Sequence, residues 1–306
     1  LSLEEDKFQK IVCAYLAEYA VKYFGEEQLE SNSFTYRLKT ILDNVMYLMK
    51  HIMEELSQSE FFVADCELKI GEDIPSYTIV LPDGHKIAVC GSVDRVDIMP
   101  RADITYLRII DYKTGTKQFK LSDILYGINL QMLLYLHSIE ASGCDKYGEI
   151  VPAGILYMPA TVPYISSDSL KSIDKLPDEL NKKLKMNGLL LKDTEIIHGM
   201  DKTDAATYIP VKIKAGEPVS STSLATLAEF GKIFKKVDML IAEMGKNIYS
   251  GNIEAKPLKG GHDSCEYCPY DSVCAYRQSN PITCFSVDNK TVIEEITNEI
   301  NGKEEE

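Results

Sequence analysis

Hydrophobic side chains recur at three- and four-residue steps between residues 33 and 57, through Phe34, Leu38, Ile41, Leu42, Val45, Leu48, Met49, Ile52 and Leu56. A single apolar stripe of that length predicts a packing helix. A shorter helix is expected before it, from an S-x-x-E capping box at Ser2 and Glu5 through Ile11, Tyr15 and Tyr19 to about Phe24. The texture then turns strand-like over residues 61 to 70, 77 to 81, 86 to 99 and 104 to 112, with Pro82-Asp83-Gly84 as a turn. A helix follows from about Leu121 to Ala141, then a short apolar strand from Ala153 to Met158. Residues 161 to 203 read as a polar, irregular surface insertion, 207 to 214 as a strand and 221 to 249 as a long helix. A β-meander followed by a helix and a further strand predicts a mixed α/β fold, a central mixed sheet flanked by helices. The chain divides on this reading into an N-terminal helical segment (1–58), a core (59–262), a cysteine-rich segment (263–284) and a tail (285–306), expected to be a frayed helix or disordered beyond about Asn289.

Composition narrows this picture only a little. At 306 residues, 45% hydrophobic and 26% charged, the chain has the makeup of an ordinary soluble globular protein. No apolar run approaches the roughly 20 residues needed to span a bilayer, and no signal peptide opens the sequence, so a cytoplasmic protein without membrane attachment is expected. The first residue is Leu1, not Met, which suggests a piece of a longer polypeptide. A net charge of -14 counts against unaided nucleic-acid binding, because phosphate contacts need Lys and Arg. It leaves room for a nuclease whose acids hold metal and whose partner grips the DNA. No G-x-x-x-x-G-K-[ST] phosphate loop is present, so no ATP motor is recognisable.

Cys13, Cys66, Cys90 and Cys144 are scattered among apolar neighbours, as buried free thiols are. Cys265, Cys268, Cys274 and Cys284 crowd together, which points to a metal or iron–sulfur site more than to disulfides. Thiolates select zinc or iron–sulfur clusters, and both ordinarily take four ligands.

The strands carry the candidate chemistry. Asp94 lies in Gly91-Ser92-Val93-Asp94-Arg95 and Asp111 in Ile109-Ile110-Asp111-Tyr112-Lys113. Residues two apart on a strand share a face, so Asp111 and Lys113 project together while Tyr112 points away, and Asp97 faces away from Asp94. Hard carboxylate oxygens suit Mg²⁺ or Mn²⁺ at a phosphodiester, and an adjacent ammonium can orient water or stabilise developing charge. Glu67 on the preceding strand offers another carboxylate; Gln131 and Tyr135, four apart, share a helix face. Any one of these alone more often marks a solvated pair or a helix surface.

The ordered set, Glu67, then G-x-x-D-R, D-Y-K-T-G, Q-x-x-x-Y and C-x-x-C-x(5)-C, resembles the PD-(D/E)xK nucleases of the RecB kind, above all the C-terminal nuclease domains of AddB-type helicase–nuclease subunits. The likeness covers roughly residues 30 to 280, including Tyr126-Gly127-Ile128-Asn129-Leu130-Gln131, Ala153-Gly154-Ile155-Leu156-Tyr157 and Met186-Asn187-Gly188-Leu189-Leu190. It implies a restriction-endonuclease-like fold and a Mg²⁺-dependent DNA exonuclease acting at broken ends for recombinational repair in a bacterial cytoplasm. An AddA-type motor protein would be its partner. Asp94 and Asp111 would be metal ligands, with the Tyr112 carbonyl. Lys113 would be the catalytic lysine, Glu67 a support, and Gln131 and Tyr135 markers of the adjoining helix.

Cys265, Cys268 and Cys274 would be three ligands of a [4Fe–4S] cluster whose fourth cysteine lies upstream of the nuclease core. Cys13 sits in an apolar helical stretch and reads as core, and Cys284 could complete only a local zinc site. None of His51, His85, His137, His198 or His262 has the context of the family's metal-binding histidine. The expectation is therefore a fragment that folds, carries no cluster and cuts weakly or not at all. Three other readings compete: a stand-alone RecB-like or CRISPR-associated nuclease, a catalytically silent module of a helicase complex, and a zinc-binding interaction domain.

Overall fold

The computed structural model describes residues 5–26, 31–115, 117–163, 176–203, 205–220, 222–274 and 281–304. Helices α1 (Glu5–Phe24) and α2 (Asn32–Ser57) lead into β1 (Phe62–Ile70), β2 (Tyr77–Val80), β3 (Lys86–Val89), β4 (Gly91–Arg101) and β5 (Ile104–Lys113). A 3₁₀ turn (Leu121–Tyr126) precedes α3 (Gln131–Ser142), α4 (Cys144–Tyr147) and β6 (Glu149–Pro159). Then come α5 (Leu176–Leu184), β7 (Asn187–Leu191), α6 (Thr194–Met200), β8 (Lys212–Lys214), β9 (Glu217–Val219), β10 (Leu224–Ala225) and α7 (Leu227–Tyr249). The chain continues with β11 (Leu258–Gly260), α8 (Asp271–Cys274), β12 (Ile282–Cys284) and α9 (Asn289–Glu304).

The mixed α/β expectation holds. One six-stranded sheet runs β1-β4-β5-β6-β7-β10. Its β1, β4 and β5 are antiparallel, β5 and β6 parallel, β6 and β7 antiparallel, and β7 and β10 parallel. The middle strands are buried on both faces, with Leu107, Ile109, Ile110, Ala153 and Leu156 wholly inaccessible. That is why β5 and β6 read as near-continuous apolar runs and not as an alternation. Helix α2 reaches one face through Glu55; α3 packs on the other against β6, and α7 packs on α3.

Several boundaries differ from the sequence reading, each for a physical reason. The segment expected as one strand over 86 to 99 breaks at Cys90, with β3 pairing β2 in a separate ribbon and β4 entering the main sheet. The helix expected from Leu121 is split: Gly127 at φ 68° and Asn129 at φ 55° take left-handed conformations that end the 3₁₀ turn, so α3 starts at Gln131. The strand expected over 207 to 214 shrinks to β8. The insertion reading of 161 to 203 fails in its second half, because β7 is a buried member of the main sheet and α6 buries Ile196, Ile197 and Met200. Residues 164–175 lie outside the described residues. Of the two readings of the tail, helix holds over disorder: α9 starts at Asn289 and is docked, with Val292, Ile296 and Ile300 forming a stripe buried against α7. The scattered cysteines are corrected too, since Cys66, Cys90 and Cys144 are exposed and Cys13 is only half-buried on α1.

Behind the sheet lies a charge network. Arg95 Nη2 stands 3.0 Å from Glu55 Oε2, and Arg95 bonds Asp97 twice, at 2.9 and 2.8 Å. Arg108 bonds the other oxygen of Glu55 at 2.6 Å and Asp97 at 3.0 Å. All four side chains are no more than 2% exposed. Burial disfavours the charge on Asp97, yet Arg108 and Arg95 outweigh it and hold its carboxyl below the usual range. Removing one member of a buried ionic set strands the others. Glu55→Ala is therefore expected to destabilise the fold by about 3–5 kcal/mol in urea unfolding; a loss well under ~1 kcal/mol would mean that the network does not hold α2 to the sheet.

His137 of α3 stacks on Phe234 of α7 with centroids 4.6 Å apart, and its nitrogens face Glu140 and Asp238 at 3.3 and 3.2 Å. Burial opposes the imidazolium, but the bonds to Asp238 and Glu140 prevail and push its pKa up to about 9. The stabilisation is complete below the unfolded value of about 6.5 and disappears as pH rises through about 9. Tm is expected to fall between pH 6.5 and 9.5 less steeply in His137→Gln than in the wild type; identical slopes would discard this contact as the source.

Candidate active site

The register of the sheet gathers side chains from distant parts of the chain into one row. Arg95 pairs with Ile110 across β4 and β5, which sets Asp94 opposite Asp111. Cys66 pairs with Arg95, and Leu68 with Val93, which sets Glu67 opposite Asp94 on the other side. Asp111 pairs in turn with Tyr157, and Tyr157 with Asn187. The row across five strands is thus Glu67, Asp94, Asp111, Tyr157 and Asn187. Opposed residues on neighbouring strands share a face, here the face on which α3 lies.

Asp111 is 6% exposed. Its Oδ2 accepts no hydrogen bond, and the Lys113 ammonium stands 2.5 Å from it as counter-charge. Asp94 accepts the Tyr112 backbone N–H at 2.9 Å, tying the two acid-bearing strands together at the site. Tyr112 itself points to the opposite face, where its hydroxyl accepts a bond from Arg95 at 3.2 Å, and Asp97 lies on that face too. Glu67 is exposed and accepts the Ser92 hydroxyl at 3.0 Å. Its φ of 55° is a left-handed conformation in mid-strand, the kind of local strain of about 1–3 kcal/mol that the surrounding sheet must enforce. Next to Asp111, burial and then the charges of Asp111 and Asp123 push the Tyr157 phenol up to about 12, so it stays protonated.

Gln131 and Tyr135 make no hydrogen bond to the lysine among the described residues. Gln131 is exposed at the first position of α3, and neither Gln131 nor Tyr135 makes a side-chain hydrogen bond among the described residues. Tyr135 instead lies over Gly91, with its hydroxyl and ring filling the space where any Cβ would project. Glycine at the start of β4 is thus a condition of α3 approaching this close. Arg95, Glu55 and Arg108, which hold Tyr112 and α2 behind the acids, were missed by the sequence reading. The i, i+2 spacing of Arg95 and Asp97 on an otherwise apolar strand was the available signal.

Among the described residues, no three His, Cys, Asp or Glu side chains gather closely enough to hold a metal ion. The acid site nevertheless suits a hard divalent cation: a buried carboxylate oxygen on Asp111 whose one partner among the described residues is the Lys113 ammonium, with Asp94 opposite. Mg²⁺ commonly binds through one or two carboxylates and takes its other ligands from water and substrate phosphate. The cysteine segment suits a cluster less well. Cys265 and Cys268 are half-buried and Cys274 exposed, and they do not converge; Cys284 is buried on β12, paired with Gly260. His51 is buried on α2, beside Tyr208, and burial lowers its pKa.

Residues 3–275 match the PD-(D/E)XK nuclease superfamily. The chain is 38% identical over 246 residues to the B component of an ATP-dependent helicase/deoxyribonuclease from Thermoanaerobacter sp. (strain X514), covering 78% of this chain and 21% of the relative. To proteins of the same name it is 35% identical in Alkaliphilus oremlandii (strain OhILAs), over 86% of this chain and 24% of the relative, and 36% identical in Clostridium kluyveri (strain NBRC 12016), over 89% and 24%. The chain spans about a fifth to a quarter of the length of these relatives.

Gly91→Ala is expected to cost about 1–3 kcal/mol through the collision with Tyr135. Adding Tyr135→Ala should recover part of that loss in urea unfolding, and a double variant no better than the sum of its singles would dismiss the contact.

Proposed function

The chain belongs to the PD-(D/E)XK nuclease superfamily, and from that premise we propose that it is a Mg²⁺-dependent deoxyribonuclease domain of an AddB-type helicase–nuclease. The observation that carries the reading is the row itself: Asp94 opposite Asp111, with Lys113 2.5 Å from an otherwise unpartnered carboxylate oxygen. Asp94 and Asp111, with the Tyr112 carbonyl, would hold the cation. Bound there, it supplies charge neutralisation at the phosphate and a water of lowered pKa. Lys113 orients that water and stabilises the charge that develops on the phosphate in the transition state. Glu67 and Ser92 support the row from β1 and β4. Tyr157 and the buried Arg95–Tyr112 contact hold the acids in register.

The substrate is DNA, and the partner an AddA-type motor that supplies ATP-driven movement and most of the grip, in a bacterial cytoplasm; no helix among the described residues is long and apolar enough to cross a membrane. The relatives' name, joining helicase and deoxyribonuclease, supports this reading, as does the formal charge of -14. For the cysteine segment we propose a [4Fe–4S] cluster in the longer protein, on Cys265, Cys268, Cys274 and a fourth thiolate; no step of the cleavage runs through it.

Linear single- and double-stranded DNA should be cut in the presence of Mg²⁺ or Mn²⁺. Lys113→Ala and Asp111→Asn should each slow cleavage by roughly 10²-fold or more. The comparison belongs both on this chain and on a longer one extended at its N-terminus. If the longer chain binds DNA and metal yet never cuts, the domain is a silent structural module.

A further inference from the structure

The row of site residues does not end at Asp111. Past Lys113, on the side of Tyr157 and Asn187, opens a cavity of about 570 Å³. Five lysines line it: Lys113, Lys117, Lys182, Lys183 and Lys185. No Asp or Glu does. In a chain carrying 47 acids against 33 Lys and Arg, such a concentration of one sign is a local reversal of the surface field. The neighbouring hollow on the other side of the Lys113–Lys117 ridge contains Asp123 and lacks this purity.

The cavity is built rigidly. Asn187 Oδ1 accepts the Phe119 N–H at 2.7 Å, and its amide donates to the Lys117 carbonyl at 2.8 Å. The loop after β5 is thus clamped onto β7, which fixes where Lys117 emerges. The Lys117 ammonium bonds Asn129 at 2.7 Å and lies 5.5 Å from the Tyr157 ring centroid. On the opposite wall Lys182 stands exposed in the last turn of α5. Lys185 turns inward to the Ala206 and Val211 carbonyls, at 2.7 and 3.1 Å, and braces that wall.

Resting on the nuclease reading above, the geometry points to this cavity as the phosphate subsite for the DNA strand beyond the cut bond, with Lys117 and Lys182 as its cations. The volume falls in the range of about 300–1,000 Å³ that accepts a small molecule, enough for a nucleotide and too little for a duplex. The strand in it is therefore single. Lys113 stands at the boundary, touching the acid row on one side and lining the cavity on the other, so a phosphodiester held at Asp94 and Asp111 places its neighbouring phosphate at the mouth. This assigns affinity to one side of the cut and chemistry to the other.

The test is fluorescence anisotropy of a labelled single-stranded oligodeoxynucleotide against this chain in EDTA, with steady-state cleavage in Mg²⁺ alongside. Lys117→Met keeps the aliphatic stem, and Lys182→Ala alters an exposed side chain, so both should keep the wild-type thermal midpoint. Together they should raise Kd and KM about tenfold with kcat within about twofold, and flatten the dependence of log K on log salt by about 1.4, or ~0.7 per lost single-strand contact. Lys39→Ala, an exposed lysine on α2 that does not line the cavity, is the control. A wild-type Kd and salt slope in the double variant, while Lys113→Ala still abolishes cleavage, would overturn the subsite and leave the nuclease reading intact. Neither binding nor cleavage by the wild type, both in this chain and in the one extended at its N-terminus, would overturn both.

Discussion

Asp97 and Arg108 are register partners across β4 and β5, and they form an ion pair where water does not reach. A one-residue slip of this strand pair would put the two charges on opposite faces and turn the slipped strand's apolar side chains to the wrong face. The cost of an unpaired buried charge makes that slip prohibitive. The same pairing that satisfies Asp97 sets Asp94 opposite Asp111 three residues along. The geometry of the acid row on one face of the sheet is therefore held by electrostatics on the other. Glu55 extends the lock to α2, which the sequence offers as an ordinary packing helix.

This division of labour explains how a domain with weak local signals can hold a precise site. Among the described residues Asp94 bonds only the Tyr112 N–H, and Asp111 Oδ2 meets only the Lys113 ammonium. The backbone of two locked strands, more than side chains on that face, places both acids. Burying a carboxylate with so few partners costs stability, and the surrounding sheet absorbs that cost. The left-handed turn of Glu67 belongs to the same class of local expense.

Much of this was legible beforehand, and the misses have a common cause. The β4–β5 pair and the roles of Asp111, Tyr112 and Lys113 by face followed from period-two alternation, which is local. The stripe of Val292, Ile296 and Ile300 was equally present in the sequence, but dense Glu and Asn around it gave the segment the texture of a tail. The strand β7 is short and embedded in polar text, so Leu189, Leu190 and Leu191 were absorbed into an insertion. Tyr157 and Asn187 became site neighbours only through strand order, which no periodicity encodes. Glu55 carries no signal of its own in the sequence, because burial on a helix is decided by what packs against it.

The row of Glu67, Asp94, Asp111, Tyr157 and Asn187 joins residues spread over more than a third of the chain. Contacts so distant along the polypeptide are closed late in folding, because the entropy of long loops must be spent before they form. No fragment of the sheet, and no partly folded species, brings the acids, the lysine and the lysine-lined cavity together. The geometry of the row is consequently all-or-none with respect to the folding of the sheet, present only once every strand from β1 to β7 that contributes to it has paired.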